Sequence, residues 1–133
     1  MKDRVRFAFT EVDPKLGALS TLPYLPIILS YQNRSIRGSG LLDTGSSVNV
    51  LPYEMGLNLG AVWENQTISL RLGGNLANTE ARALFIDAFV ADFDKIQLAF
   101  AWSKSDNVPV LLGQTNFLWN SMFCSRVQLY FLK

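Results

Sequence analysis

Histidine is absent from this 133-residue chain, and cysteine occurs once, as Cys124. Without histidine there is no Ser-His-Asp or Cys-His relay and no imidazole to ligate a metal. One thiol cannot build an internal disulfide framework or supply paired-cysteine zinc spacings, and its apolar surroundings fit a buried structural thiol. Charge is sparse too, at 17% of residues, and balanced: twelve basic side chains face eleven acidic ones, for a net charge of +1. That balance carries no basic excess for a nucleic-acid backbone. No apolar run approaches the roughly 18 residues of a membrane-spanning helix, and Met1-Lys2-Asp3-Arg4 does not open a secretion signal. Asn33-Arg34-Ser35 and Asn65-Gln66-Thr67 fit the glycosylation acceptor pattern and are read as chance matches. The expectation is a soluble, cytoplasmic protein with no nucleic-acid or membrane partner and no metal or other cofactor.

What the chain does have is apolar residues in strand-like order. Hydrophobic residues make up 49%, and the length suits one domain with a real core. Arg4-Val5-Arg6-Phe7-Ala8-Phe9-Thr10 alternates polar and apolar as a half-buried strand does, and Asp13 to Gly17 breaks it. Ile27 to Tyr31 is β-branched and aromatic, Gln32-Asn33-Arg34 turns, and Ser35 to Leu42 returns. Val48 to Leu51 continues extended until Pro52, and Tyr53 to Trp63 is predicted as a short helix weakened by Gly56 and Gly60. Thr67 to Leu72 places Ile68, Leu70 and Leu72 on one face. Gly73 to Asn78 turns, and Ala83 to Val90 runs back as the second arm of a long hairpin. Further strands are predicted at Ile96–Trp102 and Val127–Phe131, with a short helix over Thr115–Phe123. The sum is an all-β, barrel-like domain with one or two short helices.

The most informative stretch is Gly40-Leu41-Leu42-Asp43-Thr44-Gly45-Ser46-Ser47. An apolar strand ends by presenting one carboxylate, then turns sharply. Asp-Thr-Gly is also an ordinary turn tripeptide, since Asp accepts backbone hydrogen bonds and Gly supplies positive φ. The neighbours add to it. Leu41-Leu42-Asp43-Thr44-Gly45-Ser46 resembles the core motif of the retropepsin-like aspartic proteases, an apolar pair followed by Asp-Thr-Gly-Ser/Ala. Downstream, Val110-Leu111-Leu112-Gly113-Gln114 resembles that family's second signature, an apolar pair and Gly before a C-terminal helix. The resemblance runs from about Leu25 to Phe131, so residues 25–133 read as the protease domain and 1–24 as an N-terminal strand and linker.

The resemblance implies an acid-protease barrel active as a two-fold homodimer on peptide or protein substrates. Carboxylate-only hydrolysis needs one ionised group to take a proton from water and one protonated group to polarise the carbonyl. No other Asp here precedes Thr-Gly, and the chain is too short for two such domains, so the second carboxylate comes from a second copy. Asp43, Thr44 and Gly45 become the catalytic set: Thr44 reaching across the two-fold, the Gly45 amide approaching the carboxylates. Ser46 is expected to donate to the Asp43 carboxylate. The hairpin tip Gly73-Gly74-Asn75-Leu76 resembles the flap. Leu72, Leu76 and Leu84 are expected as apolar cleft walls, with Ser46 and Ser47 beside them, favouring apolar residues at the scissile bond. The terminal strands Phe7–Thr10 and Val127–Phe131 are expected to interleave with those of the partner. An acidic optimum, roughly pH 4–6, follows from a shared proton.

The chain departs from the family where retroviral members carry an Asp–Arg pair, having Ser47 and Gln114 there; a neutral hydrogen bond can replace the pair without stranding a charge. Two other readings fit the same residues. One is a non-catalytic module of the same fold that dimerises or binds extended peptides. The other is an unrelated β-barrel in which Asp43 only starts a turn.

Overall fold

The structure, a computed structural model, describes residues 4–8, 10–11, 21–22, 24–43, 46–90, 94–113 and 128–132. The expected break at Asp13–Gly17, the helix over Thr115–Phe123, and Thr44, Gly45, Gln114 and Cys124 lie outside the described residues.

A closed sheet forms the body. Strands β4 (Tyr24–Tyr31) and β5 (Arg34–Leu42) make a hairpin, closed by a turn in which Gln32 takes φ 53°. The sheet then runs through β10 (Val110–Leu112), β6 (Asn49–Leu51), β9 (Ile96–Ser103) and β8 (Ala81–Val90). Strand β8 returns to β4, pairing Ile27 with Val90 and Ser30 with Asp87, so the ring closes. The two-residue strand β7 (Ser69–Leu70) adds to the other half of β8. This is an all-β barrel with one short α-helix among the described residues, α1 (Tyr53–Asn58). No helix among the described residues is long and apolar enough to cross a membrane.

Period-two alternation fills the interior. On β8, Leu84, Ile86, Ala88 and Val90 point inward, where they meet Leu25, Ile27 and Leu29 of β4 and Leu98, Phe100 and Trp102 of β9. Phe85 and Phe89 point out. Leu84 is 1% exposed, so the expectation that it walls a cleft is corrected: its parity along β8 commits it to the core.

Helix α1 is shorter than predicted. Gly60, at φ 84°, ends it, and a separate 3-10 turn covers Trp63–Asn65. The helix sits on Trp102, whose Nε1 donates to the Tyr53 carbonyl at 3.0 Å. A Cβ at Gly56 would lie 2.2 Å from the Trp102 indole, so only glycine permits that approach. Tyr53 stacks on Trp102 and Trp63 meets both rings edge-on, while Arg82 lies 4.6 Å over Trp63 and donates to its carbonyl at 2.8 Å.

The remaining strands are peripheral. β1 (Arg4–Ala8) pairs in parallel with β11 (Gln128–Leu132), Arg4 opposite Gln128 and Ala8 opposite Leu132. The termini, expected to interleave with a partner's, thus pair with each other within one chain. β2 (Thr10–Glu11) pairs with β3 (Thr21–Leu22).

Candidate active site

Strands β5 and β6 are consecutive in sequence, yet β10 lies between them. The loop that joins them, beginning at Asp43, must therefore pass over the end of β10. The two sequence motifs meet there: Leu41 pairs with Leu111 and Leu42 with Leu112 on parallel strands. The Asp43 amide extends that ladder, donating to the Leu112 carbonyl at 3.0 Å. Asp43 is thus delivered half-buried from an apolar strand end whose backbone is tied to its neighbour.

Gly113 lies directly beneath the crossing loop. A Cβ there would sit 2.3 Å from the Val48 carbonyl oxygen and 2.6 Å from its carbon. Backbone cannot yield as a side-chain tip does, so the glycine is a steric requirement. Asn49, fully buried at the start of β6, holds the crossing together. Its Oδ1 accepts from the Gly113 amide at 2.8 Å and its Nδ2 donates to the Ala99 carbonyl on β9 at 3.1 Å. One side chain therefore ties β6, β9 and the end of β10.

The Ser46 hydroxyl differs from expectation. Its one proton goes to the Val48 carbonyl, at 2.7 Å, and not to Asp43. The bond spans two residues and is made within the turn itself, a local side-chain-to-backbone bond of the kind serine readily makes. Ser46 thus shapes the loop.

A groove of about 460 Å³ opens at Asp43. The crossing loop and β6 contribute Asp43, Ser46, Ser47, Val48 and Val50. The segment between β7 and β8 contributes Arg71, Leu72, Gly73, Gly74 and Leu76, and the approach to β10 supplies Asn107, Val108, Pro109 and Leu111. Of the residues predicted for the site, Ser46, Ser47, Leu72, Gly73, Gly74 and Leu76 gather with Asp43, whereas Leu84 does not. Thr44, Gly45 and the Asn75 side chain lie outside what the structure describes.

The predicted long hairpin is truncated. Its paired ladder covers only Ser69–Leu70 against Arg82–Ala81, extended by the Ala83 amide donating to the Ile68 carbonyl. Past Leu70 the chain turns into a 3-10 turn at Gly74–Leu76, with Gly74 at φ 58°. Leu72, Leu70 and Leu76 then join a second apolar cluster with Val50, Ala81 and Ala101. Leu72 is buried there and Leu70 and Leu76 partly so; at up to about 2 kcal/mol for a fully buried leucine, this packing offsets the few ladder bonds given up, at about 1 kcal/mol net each. Ile68, predicted to share a face with Leu70 and Leu72, is left 55% exposed.

No protein-family model matches the sequence, and no curated protein does. Solved structures do match. The chain is similar to EIAV protease complexed with the inhibitor HBY-793, at 16% identity and a TM-score of 0.56, covering 84% of this chain and 95% of that one. It is also similar to a retropepsin-like aspartic protease from Rickettsia conorii, at 20% identity and a TM-score of 0.46, covering 69% and 68%. With the closed sheet, β10 between β5 and β6, and Asp43 at the crossing, the chain has a retropepsin-like fold.

Proposed function

We propose that this chain is an aspartic endopeptidase that works as a two-fold homodimer, with Asp43 of each copy forming the catalytic dyad. The observation that carries the reading is Asp43 itself, half-buried at the end of β5, tied to Leu112, and lining a groove on a retropepsin-like fold. One Asp43, ionised, takes a proton from a water whose oxygen attacks the scissile carbonyl carbon. The other, protonated, donates to the carbonyl oxygen. A proton then passes to the amide nitrogen, the C–N bond breaks, and a carboxylic acid and an amine leave. Two carboxylates in contact share one proton, so activity belongs to the acidic range and fades towards neutrality.

Within that reading Thr44 and Gly45 hold the dyad, and Val48, Leu72, Leu76 and Leu111 give the groove apolar walls for residues at the scissile bond. The segment from Leu72 to Leu76 serves as the flap. Among the described residues the β1–β11 sheet has two strands, and a two-stranded sheet is marginal by itself, which supports a second copy adding its own pair.

The test is cleavage of a mixed peptide library near pH 5 by wild type and Asp43→Asn, each sized in the same buffer. Cleavage by wild type alone, with both proteins dimeric, is expected. If neither cuts while both are folded dimers, the chain is a peptide-binding module; if both are monomers, the dyad is refuted.

A further inference from the structure

We propose that Arg71 makes the groove select substrates bearing a carboxylate side chain beside the apolar residues at the scissile bond, an inference that rests on the endopeptidase reading. Among the described residues, Arg71 and Asp43 are the ionisable ones of the groove lining. The flanking residues settle where Arg71 can go. Leu70 and Leu72 both pack into the cluster with Val50 and Ala101, which anchors the backbone on either side of the arginine. With those side chains turned into the core, Arg71 is left exposed at the groove. Among the described residues no carboxylate forms a salt bridge with Arg71.

A guanidinium offers five N–H donors in a planar fork that matches a carboxylate. Val48, Leu76 and Val108 surround the groove with apolar surface. A peptide lying there sheds water around Arg71 and strengthens its pairing beyond that of an open surface pair. In a two-fold dimer Arg71 occurs once on each side of the Asp43 dyad, so acidic residues are favoured at matching distances on both sides of the cleaved bond.

The experiment uses peptide pairs with one apolar centre and either Glu or Gln at a single flanking position, scanned outward. It is run at low salt and about pH 6, where Glu is ionised. Wild type is expected to show a roughly fivefold higher kcat/KM for Glu at one position on each side, shrinking as salt rises. Arg71→Gln should bring the ratio to about one, and Arg71→Lys should keep part of it. Equal cleavage of Glu and Gln peptides by wild type, or an unchanged preference in Arg71→Gln, overturns the proposal. If no peptide is cut, the endopeptidase reading fails by itself. Fluorescence anisotropy of the same peptides on Asp43→Asn, with and without Arg71→Gln, then decides the Arg71 question. A Glu preference lost with the arginine supports it, and equal binding of the pair refutes it.

Discussion

Replacing Asn49 with alanine should loosen the crossing that presents Asp43. Asn49 is fully buried and spends both ends of its amide on backbone groups of other segments: the Gly113 amide at 2.8 Å and the Ala99 carbonyl at 3.1 Å. Truncation strips the buried Gly113 N–H of its acceptor, at about 1–3 kcal/mol, and removes a hydrogen bond at Ala99 worth about 1 kcal/mol. Together the loss is about 2–4 kcal/mol, a large share of the roughly 5–15 kcal/mol that holds a domain folded. At roughly 4 °C per kcal/mol for a chain of this size, Tm should fall by about 8–16 °C. Urea melts of wild type, Asn49→Ala and, as the exposed control, Asn58→Ala would show a lower midpoint for the first variant alone, at unchanged slope. Asn49→Asp sharpens the test, because the buried carboxylate keeps the Gly113 contact only by holding a charge away from water. Burial raises its folded-state pKa above the unfolded value, so its deficit should shrink as pH falls and the group is protonated. An Asn49→Ala variant within about 0.5 kcal/mol of wild type, like a neutral surface change, would refute the clamp.

The other expectations concern packing. Gly113→Ala must displace the Val48 backbone and should destabilise by more than the 1–3 kcal/mol usual for overpacking, whereas Gly73→Ala, with nothing within 4 Å of its Cβ, should be nearly silent in the same thermal melt. Leu84→Ala should cost about 2–5 kcal/mol as a core cavity and leave cleavage preference unchanged; a shift in preference would return Leu84 to the cleft. Gly56→Ala drives a methyl into the Trp102 indole and should lower the urea midpoint and shift tryptophan fluorescence; an unaltered spectrum would contradict the close approach.

The legible parts of the sequence were those where local chemistry and tertiary need coincide. Apolar strands flanked by turn residues marked β4, β5, β8 and β9, and two short motifs marked Asp43 and the end of β10. Their meeting was not readable, because β10 enters between β5 and β6 from far along the chain. Asn49 carries no local signal for the same reason: its partners, Gly113 and Ala99, are distant in sequence. Leu84 belongs to the core and not to the cleft, because a hydrophobic residue near a hairpin fits either in sequence and only strand parity decides. Alternation over Thr67–Leu72 suggested a long arm, but Leu72 and Leu76 gain more by packing inward. Ser46 has a hydroxyl able to donate to a neighbouring carboxylate, but the Val48 carbonyl two residues on takes its proton.

The claim at the centre is that two Asp43 side chains from two chains make one site, and mixing tests it most directly. Wild type and Asp43→Asn are combined at constant total concentration, allowed to exchange, and assayed for peptide cleavage near pH 5. In a shared dyad only wild-type pairs cut, so activity should follow the square of the wild-type fraction, about a quarter at an equal mixture. Activity falling in simple proportion, about a half at an equal mixture, would mean that each chain acts alone and would contradict the dyad.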